Sequence, residues 1–188
     1  MRIIAGRARG RLLQTLPGQA TRPTQGKVRA ALFSILTPRL PDSRWLDLFA
    51  GSGAVGLEAA SRGAARVVLV ERLPEALRVI RANVGATRLV VEVLPQDASA
   101  ALQGLKGQLF DVVFADPPYA ESAELWLGRI DAAELLAPGG CVVLEHHRDS
   151  DVPESVGALT RTATRVYSGT ALSFYACGEE DRSREATG

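Results

Sequence analysis

The chain has 188 residues, of which 46% are hydrophobic and 23% are charged, the balance of an ordinary globular protein with one domain. Its longest apolar runs have the length of a β-strand and are far shorter than a membrane span, and its first residues lack the apolar core of a signal peptide. Cys141 and Cys177 lie in apolar, strand-like stretches and are expected to be buried thiols of a reducing compartment. We therefore expect a cytoplasmic protein.

The net charge of +1 hides an uneven distribution of charge along the chain. Residues 1–44 carry nine Lys and Arg residues and one acid, Asp42, whereas residues 45–188 carry 13 basic and 20 acidic residues. A basic segment on a mildly acidic body is typical of a protein that meets a polyanion. A solvated basic surface without a partner would give the same composition, so charge alone leaves both interpretations open.

The first elements in the chain are predicted to be a small hairpin and a helix. Residues 2–16 predict two short strands around a glycine-containing turn. Thr24 is placed to cap a following helix, and Pro38 and Pro41 are expected to end it. The apolar residues of that helix recur every three or four positions, at Val28, Ala31, Leu32, Ile35 and Leu36.

From Trp45 onward, predicted strands and helices alternate. Strands are predicted near 45–49, 66–71, 89–94, 111–115 and 140–145, and helices near 54–62, 74–85, 97–103 and 122–135. Alternation at this spacing predicts a parallel sheet covered on both faces. Residues 162–168 and 170–177 then predict a hairpin at the end of the sheet, and the polar residues 179–188 predict a frayed tail.

A glycine-rich loop joins the first strand of this pattern to the next helix. Gly51, Gly53 and Gly56 have the G-x-G-x-x-G spacing, and Glu71 ends the second strand twenty residues after Gly51. This spacing is the fingerprint of a dinucleotide site, so a nicotinamide or flavin enzyme is one interpretation. Under any interpretation the glycines allow close approach of a ligand, and Glu71 is a candidate acceptor for ribose hydroxyls.

Asp47 favours a different ligand, because it lies at the end of a strand four residues before Gly51. A carboxylate there would repel a pyrophosphate but would suit the ammonium and sulfonium groups of S-adenosylmethionine. Asp97, after the third strand, is placed to accept from the adenine amino group. The alternatives are that Asp47 only caps the loop and that Asp97 only caps the next helix. The candidate cofactor-binding residues are Asp47, Ala50, Gly51, Ser52, Gly53, Glu71, Arg72, Asp97 and Ala98.

A stiff turn follows the fourth strand, with the sequence Asp116-Pro117-Pro118-Tyr119. The two prolines supply carbonyl acceptors without amide donors, and Asp116 adds a further acceptor. Acceptors that hold both protons of an exocyclic amino group leave its nitrogen lone pair free to attack a methyl group, and Tyr119 would stack on an extruded base. A rigid structural corner is the alternative. It is disfavoured because the turn and the glycine loop open on the same edge of the sheet.

Taken together, these motifs resemble the bacterial small-subunit ribosomal RNA guanine-N2 methyltransferases of the RsmD type. The resemblance runs from Arg2 to about Cys177, and its most specific part is Arg22-Pro23-Thr24 with Val28-Arg29. It implies an α/β, Rossmann-like class I methyltransferase fold with a seven-stranded, mostly parallel sheet whose last strand is antiparallel. A small N-terminal hairpin and helix precede this fold.

The resemblance also implies an activity and a division of the chain. The implied enzyme transfers a methyl group from S-adenosylmethionine to the N2 amino group of a guanine in 16S RNA, on naked RNA or a small-subunit assembly particle, and releases S-adenosylhomocysteine. Asp116 to Tyr119 would hold the base. Residues 1–44 would contact RNA, residues 45–178 would form the methyltransferase core, and residues 179–188 would form a flexible tail. The candidate RNA contacts are Arg7, Arg9, Arg11, Arg22, Thr24, Lys27 and Arg29.

The expected reaction is a direct transfer, because Cys141 lies mid-strand and no other cysteine is placed as a nucleophile. We expect a monomer without a metal, since His146 and His147 lack further ligands at metal spacing and are assigned to a loop or the surface. Methylation of adenine N6 in RNA or DNA stays open, because the proline turn suits either base. A nicotinamide enzyme is disfavoured by Asp47, and a non-catalytic RNA-binding assembly factor is disfavoured by the intact acids at three strand ends.

Overall fold

The computed structural model describes residues 1–16, 23–118 and 120–178, with side chains described from Gly26 onward in the first helix. The helices in these residues are α1 (Pro23–Leu36), α2 (Ala54–Ser61), α3 (Pro74–Thr87), α4 (Ala98–Gly104) and α5 (Ala123–Ala132). The strands are β1 (Arg44–Asp47), β2 (Arg66–Val70), β3 (Glu92–Leu94), β4 (Phe110–Ala115), β5 (Leu136–His147), β6 (Ser155–Val156), β7 (Leu159–Tyr167) and β8 (Thr170–Cys177).

These strands form one sheet in the order β3-β2-β1-β4-β5-β8-β7-β6. Strands β1 to β5 pair in parallel, and β8 pairs antiparallel with both β5 and β7. The chain moves from β1 toward one edge and then returns to β4 on the other side of β1, which opens a crevice beyond the carboxyl ends of these strands. The predicted α/β fold with a mostly parallel sheet is confirmed, and the two-residue strand β6 adds an eighth strand to the expected seven.

Successive apolar residues of each strand point to opposite faces of the sheet, so both faces are covered by apolar side chains. On one face Trp45, Phe114 and Val143 pack against α1, α2 and α3, and on the other face Val113 and Val142 pack against α4 and α5. The parallel strands are buried on both sides, which explains why their sequences are almost continuously apolar.

Helix α1 differs from its prediction in its first residue and in one residue of the predicted buried face. It begins at Pro23, so Thr24 lies in its first turn and is not its N-cap. Proline is favoured at a first helical position because its missing amide has no partner there. Phe33 is fully buried, whereas Ile35 is 41% exposed. A short 3-10 turn, Thr37–Arg39, ends the helix as the proline at position 38 predicts.

The predicted N-terminal hairpin is reduced to one antiparallel bridge between Arg2 and Leu12. We call residues 1–16 the N-terminal arm. Three buried polar side chains of the core hold it: the Glu58 carboxylate accepts the amides of Ile4 and Ala5 at 2.8 and 3.0 Å, Ser61 Oγ accepts the Ala8 amide, and Asn83 Oδ1 accepts the Gln14 amide. The arm is therefore a docked part of the domain.

Two predictions about cysteine and histidine were wrong. Cys141 is buried as expected, but Cys177 is exposed at the end of β8. His146 is buried because β5 extends to His147, and its Nε2 lies 2.8 Å from Ser173 Oγ on the neighbouring strand. In the part of the chain that the structure describes, no helix has the length and apolar character needed to cross a membrane.

Candidate active site

A cavity of about 490 Å³ opens beyond the carboxyl ends of β1, β2, β4 and β5, at the crevice where the strand order reverses. Most of the site residues predicted from the sequence line it, namely Asp47, Ala50, Gly51, Ser52, Glu71, Arg72, Asp97, Ala98, Asp116, Pro117 and Pro118. Gly53 lies just behind this wall as the residue that precedes α2. Tyr119 lies outside the described residues. We call this cavity the cleft.

Asp47 is the most deeply buried acid of the cleft, with 1% of its surface exposed. Its Oδ2 accepts the Gly56 amide at 3.2 Å, and its Oδ1 has no hydrogen-bond partner among the described residues. Burial raises the pKa of Asp47 to about 7, the backbone amides of Phe49 and Gly56 oppose this shift, and the nearby charges of Asp116 and Glu71 add to it. A buried oxygen without a donor is costly, so this carboxyl suits a ligand that brings positive charge.

The loop between β1 and α2 presents its backbone to the cleft. Gly51 and Gly53 have φ values of +54° and +77°, which favour glycine, and the Gly53 amide donates to the Ala50 carbonyl at 2.7 Å. No atom lies within 4 Å of the position that a Cβ on Gly51 would take. The space beside this glycine is therefore open to a ligand, as the sequence motif predicts.

Glu71, at the end of β2, holds the glycine loop in place. Its Oε2 accepts the Gly51 amide at 2.9 Å, and its Oε1 accepts the amides of Arg72 and Leu73, each at 2.8 Å. A carboxylate oxygen has more than one lone pair, so a ribose hydroxyl could still donate to Glu71. The loop and the second strand are thus joined directly beside the cleft.

Asp97 has one of the two roles that the sequence left as alternatives, the cap of α4, and its place in the cleft keeps the adenine contact as a prediction. Its Oδ1 accepts the Ser99 amide at 2.9 Å and so caps α4, while its Oδ2 lies 3.5 Å from Arg72 Nη1. Both Asp97 and the following residue, Ala98, line the cleft. Capping α4 fixes the position of this carboxylate, and it leaves acceptor capacity on the side that faces the cleft.

Asp116 and the two prolines form the wall beyond β4. Asp116 is exposed where it borders the cleft, and no described residue donates a hydrogen bond to its carboxyl. Partial desolvation by the surrounding walls raises the pKa of this group to about 6. The Pro118 carbonyl accepts the Glu121 amide at 2.9 Å, so the turn itself uses one of the predicted acceptors. The Asp116 carboxyl and the carbonyls of Asp116 and Pro117 are the acceptors that remain for a guest.

Glu145, near the end of β5, is a residue of the cleft that the sequence argument missed. Desolvation raises its pKa to about 8, and the charges of Asp116 and Asp47 contribute. The pattern that identified Asp47 and Asp116, an acid directly after a buried apolar run, also applies to Glu145 after Cys141–Leu144.

The predicted RNA contacts separate into exposed and buried residues. Arg7, Arg9, Arg11 and Lys27 are exposed. Arg29 is only 6% exposed, and its guanidinium donates to the Arg2 carbonyl at 2.6 Å and to Met1 Sδ. This residue lies on the buried face of α1, between the N-terminal arm and the cleft, and is not on a free surface. Arg22 lies outside the described residues, and the side chain of Thr24 is not described.

The chemical groups that line the cleft match those of S-adenosylmethionine. The unpartnered Asp47 Oδ1 is available to a cationic group, the open space beside Gly51 is available to a chain of single-bonded atoms, and Asp97 is available to an amino group. In the described residues no group of His, Cys, Asp and Glu side chains is arranged to hold a metal ion.

Comparison with known proteins identifies the family. A family model described as Conserved hypothetical protein 95 matches residues 1–176. The chain is 34% identical over 175 residues to Ribosomal RNA small subunit methyltransferase D of Haemophilus influenzae, a match that covers 89% of this chain and 91% of that protein. The protein of the same name from Escherichia coli K12 is 30% identical over 185 residues, covering 96% of this chain and 93% of that protein. The chain belongs to the Conserved hypothetical protein 95 family.

A solved structure agrees with this membership. The hypothetical protein TTHA0928 of Thermus thermophilus superimposes with a TM-score of 0.82 at 40% identity, covering 93% of this chain and 98% of that chain. The resemblance drawn from the motifs is thereby confirmed, and so is the class I methyltransferase fold. This chain is an S-adenosylmethionine-dependent methyltransferase.

Proposed function

We propose that this chain transfers a methyl group from S-adenosylmethionine to the exocyclic N2 amino group of a guanine in small-subunit (16S) ribosomal RNA. One observation carries the proposal: Asp47 beside the glycine loop and Asp116 in the acceptor turn open onto the same cleft. Two relatives of nearly the same length are named for methylation of small-subunit ribosomal RNA.

The loop side of the cleft holds the cofactor in this proposal. Asp47 faces its positive charge, Glu71 accepts from the ribose hydroxyls, and Asp97 accepts from the adenine amino group, with the Ala98 amide beside it. Ala50, Gly51, Ser52 and Gly53 let the backbone approach closely, and Arg72 flanks the site through its contact with Asp97. When bound, S-adenosylmethionine supplies a methyl group whose sulfonium leaving group makes it electrophilic.

The turn side of the cleft orients the base. The Asp116 carboxyl and the carbonyls of Asp116 and Pro117 accept the two amino protons, and Pro117 and Pro118 keep these acceptors rigid. Tyr119 stacks on the base. Attack of the nitrogen on the methyl carbon makes the amine positive, and it then loses one proton to Asp116 or to water. The largest contributions of the protein are in-line orientation of the reacting atoms and stabilisation of the positive charge that develops on the nitrogen.

RNA binding is assigned to residues 1–44, and residues 45–178 form the catalytic core. The exposed side chains of Arg7, Arg9, Arg11 and Lys27 meet phosphates, and the sequence motif alone assigns Arg22 and Thr24 to contact with RNA. Because buried side chains hold the N-terminal arm on the core, its arginines stand in a fixed position relative to the cleft. The enzyme acts as a cytoplasmic monomer, on naked RNA or on an assembly particle. Residues 179–188, which the sequence predicts to be a flexible tail, lie outside the described residues.

The experiment is transfer of a tritiated methyl group from S-adenosylmethionine to small-subunit particles, naked small-subunit RNA and DNA, followed by nucleoside analysis. Label in N2-methylguanosine from a particle or from RNA is the expected result. Label in N6-methyladenosine would favour the adenine alternative, whose exocyclic amine the same turn could hold. Tight RNA binding without any label would favour a non-catalytic assembly factor. An Asp116→Asn variant distinguishes catalysis by this chain from a contaminating activity.

A further inference from the structure

We propose that Glu145 selects guanine by accepting a hydrogen bond from its N1–H while the turn at Asp116 holds the neighbouring N2 amino group. The proposal rests on the proposed function and names the group in the same cleft that determines the base. It starts from a geometric relation between three strand ends.

Asp47, Asp116 and Glu145 belong to the same side of the sheet. Side chains alternate between the two faces of a sheet, so each acid lies on the same face as the residue two positions before it. Those residues are Trp45 for Asp47, Phe114 for Asp116 and Val143 for Glu145. All three of these apolar residues lie in the same buried cluster, on the side of α1 and α2. The three carboxyl groups therefore converge on one region of the cleft.

The carboxyl group of Glu145 is placed next to the turn that holds the amino group. Ala115 pairs with Leu144 in the parallel register of β4 and β5, so Asp116 and Glu145 are the next residues on two adjacent strands. Adjacent strands lie about 4.8 Å apart. The N1 and N2 nitrogens of guanine are separated by only two bonds, so two side chains that start from adjacent strands must converge to reach both donors, and the longer side chain of Glu145 allows this.

Glu145 also marks the boundary between the cleft and a second cavity of about 490 Å³. The second cavity lies beyond the proline turn, and Pro117, Pro118 and Glu145 line both spaces. An extruded base that enters between the turn and β5 would come within reach of Glu145. No described residue donates a hydrogen bond to this carboxyl, so its acceptors are available.

The chemistry of the two bases explains why a second acceptor matters. Next to its exocyclic amine guanine has an N1–H donor, whereas adenine has an N1 lone pair at the corresponding place. A carboxylate beside the amino group accepts from guanine N1 and repels adenine N1. The turn alone recognises an amino group, and Glu145 adds the discrimination between guanine and adenine that the turn lacks.

The electrostatics of the cleft are consistent with this role. The pKa of Glu145 is raised to about 8 by desolvation and by the charges of Asp116 and Asp47, so the empty cleft holds more acid than it can ionise at neutral pH. A cationic cofactor reduces the repulsion, and an N–H donor stabilises the ionised form. Both guests therefore favour the carboxylate that the guanine contact requires.

The test uses 2-aminopurine, which keeps the N2 amino group of guanine but has a lone pair at N1. Nucleoside analysis of labelled particles first locates the modified guanine, and failure at this step would count against the proposed function and not against Glu145. A particle is then rebuilt with 2-aminopurine at that position by ligation of a synthetic RNA segment. The wild-type enzyme should prefer guanine by about 100-fold in kcat/KM, because a buried acceptor is left unpaired in the analogue.

Glu145→Gln should reduce this preference to within a few-fold, because an amide accepts from guanine N1–H or donates to the N1 lone pair of 2-aminopurine. Glu145→Ala should lower the rate on guanine more than the rate on the analogue. Glu92→Gln, which removes an exposed acid on β3, is the matched control and should keep the wild-type preference. Equal rates of the wild-type enzyme on both bases would overturn the proposal without any variant. An unchanged preference in Glu145→Gln would also overturn it, whether both rates fall together or stay the same.

Discussion

Asp47 ends β1, Asp116 follows the adjacent parallel strand β4, and both line the cleft, where the negative charge of Asp116 helps to raise the pKa of Asp47. The arrangement is unfavourable for the stability of the ligand-free protein, because the buried Asp47 carboxyl has an oxygen without a donor and lies near a second negative charge. Its benefit appears when a cation and an amine enter, since each supplies what one carboxyl lacks.

Asp47→Asn should make the empty protein more stable at pH 8. The pKa of Asp47 is about 7 in the folded state and near 4 when unfolded. Protonation of Asp47 therefore adds to the free energy of unfolding, fully below pH 4, and this contribution is lost as the pH rises through 7. At pH 8 the variant avoids a buried charge, and its free energy of unfolding should be higher by on the order of 2 to 4 kcal/mol. Urea unfolding at pH 5 and pH 8 measures this. An increase in unfolding free energy at pH 5 as large as the increase at pH 8 would show that ionisation of Asp47 is not the cause of the stabilisation.

Asp116→Ala should separate binding from catalysis. Cofactor affinity should stay within a few-fold of the wild-type value, while turnover should fall by about 100-fold or more, because the amino nitrogen is no longer oriented. Calorimetry and single-turnover methyl transfer give the two quantities. Asp111→Asn is the control, since Asp111 lies at the other end of β4 and pairs with Arg44 at a partly exposed site. Equal loss of affinity and turnover in Asp116→Ala would mean that the turn is only structural.

Gly6→Ala should release the N-terminal arm from the core. Gly6 has a φ of +81°, and an added Cβ would lie 1.9 Å from the Ser61 carbonyl oxygen, a backbone atom that cannot move aside. The free energy of unfolding should fall by about 3 kcal/mol. Gly10 has the same φ of +81° but no atom within 4 Å of its Cβ position, so Gly10→Ala isolates the backbone strain and should cost about 1 kcal/mol. An equal loss of unfolding free energy in the two variants would show that the contact with Ser61 does not contribute to the destabilisation.

Charge reversal in the arm should weaken RNA binding through phosphate contacts. In the double variant Arg7→Glu with Arg9→Glu, the slope of log K against log salt should become shallower by up to about 2, since each lost phosphate contact removes nearly one released counterion. Lys106→Glu with Arg165→Glu makes the same change of charge at exposed positions away from the arm. Filter binding of small-subunit RNA between about 50 and about 200 mM salt measures the slopes. If both double variants have the same slope, the arm is not a specific contact surface.

The sequence predicted the sheet and most of the cleft because both follow from local patterns. Alternating apolar runs and turn residues located the parallel strands, and acids after those runs identified Asp47 and Asp116. The docking of the arm was not predictable in this way, because Glu58 and Asn83 meet it across more than 50 residues of sequence. The prediction that Arg29 contacts RNA was wrong for a related reason. Its charge indicated an exposed position, whereas the periodicity of α1 puts it on the buried face beside Val28 and Leu32.

Binding of S-adenosylmethionine as a function of pH tests the central claim most directly, namely that a buried carboxylate of this cleft recognises the positive charge of the methyl donor. Asp47 has a pKa of about 7 without a ligand, so affinity should rise about ten-fold between pH 6 and pH 8, with protons released on binding. Asp47→Asn should bind more weakly and lose most of the rise in affinity between pH 6 and pH 8, with the titration of Asp116 and Glu145 as the remaining pH dependence. Calorimetry in two buffers of different ionisation enthalpy provides both readouts. Equal affinity at pH 6 and pH 8 with no proton release, or an unchanged profile in Asp47→Asn, would contradict the claim.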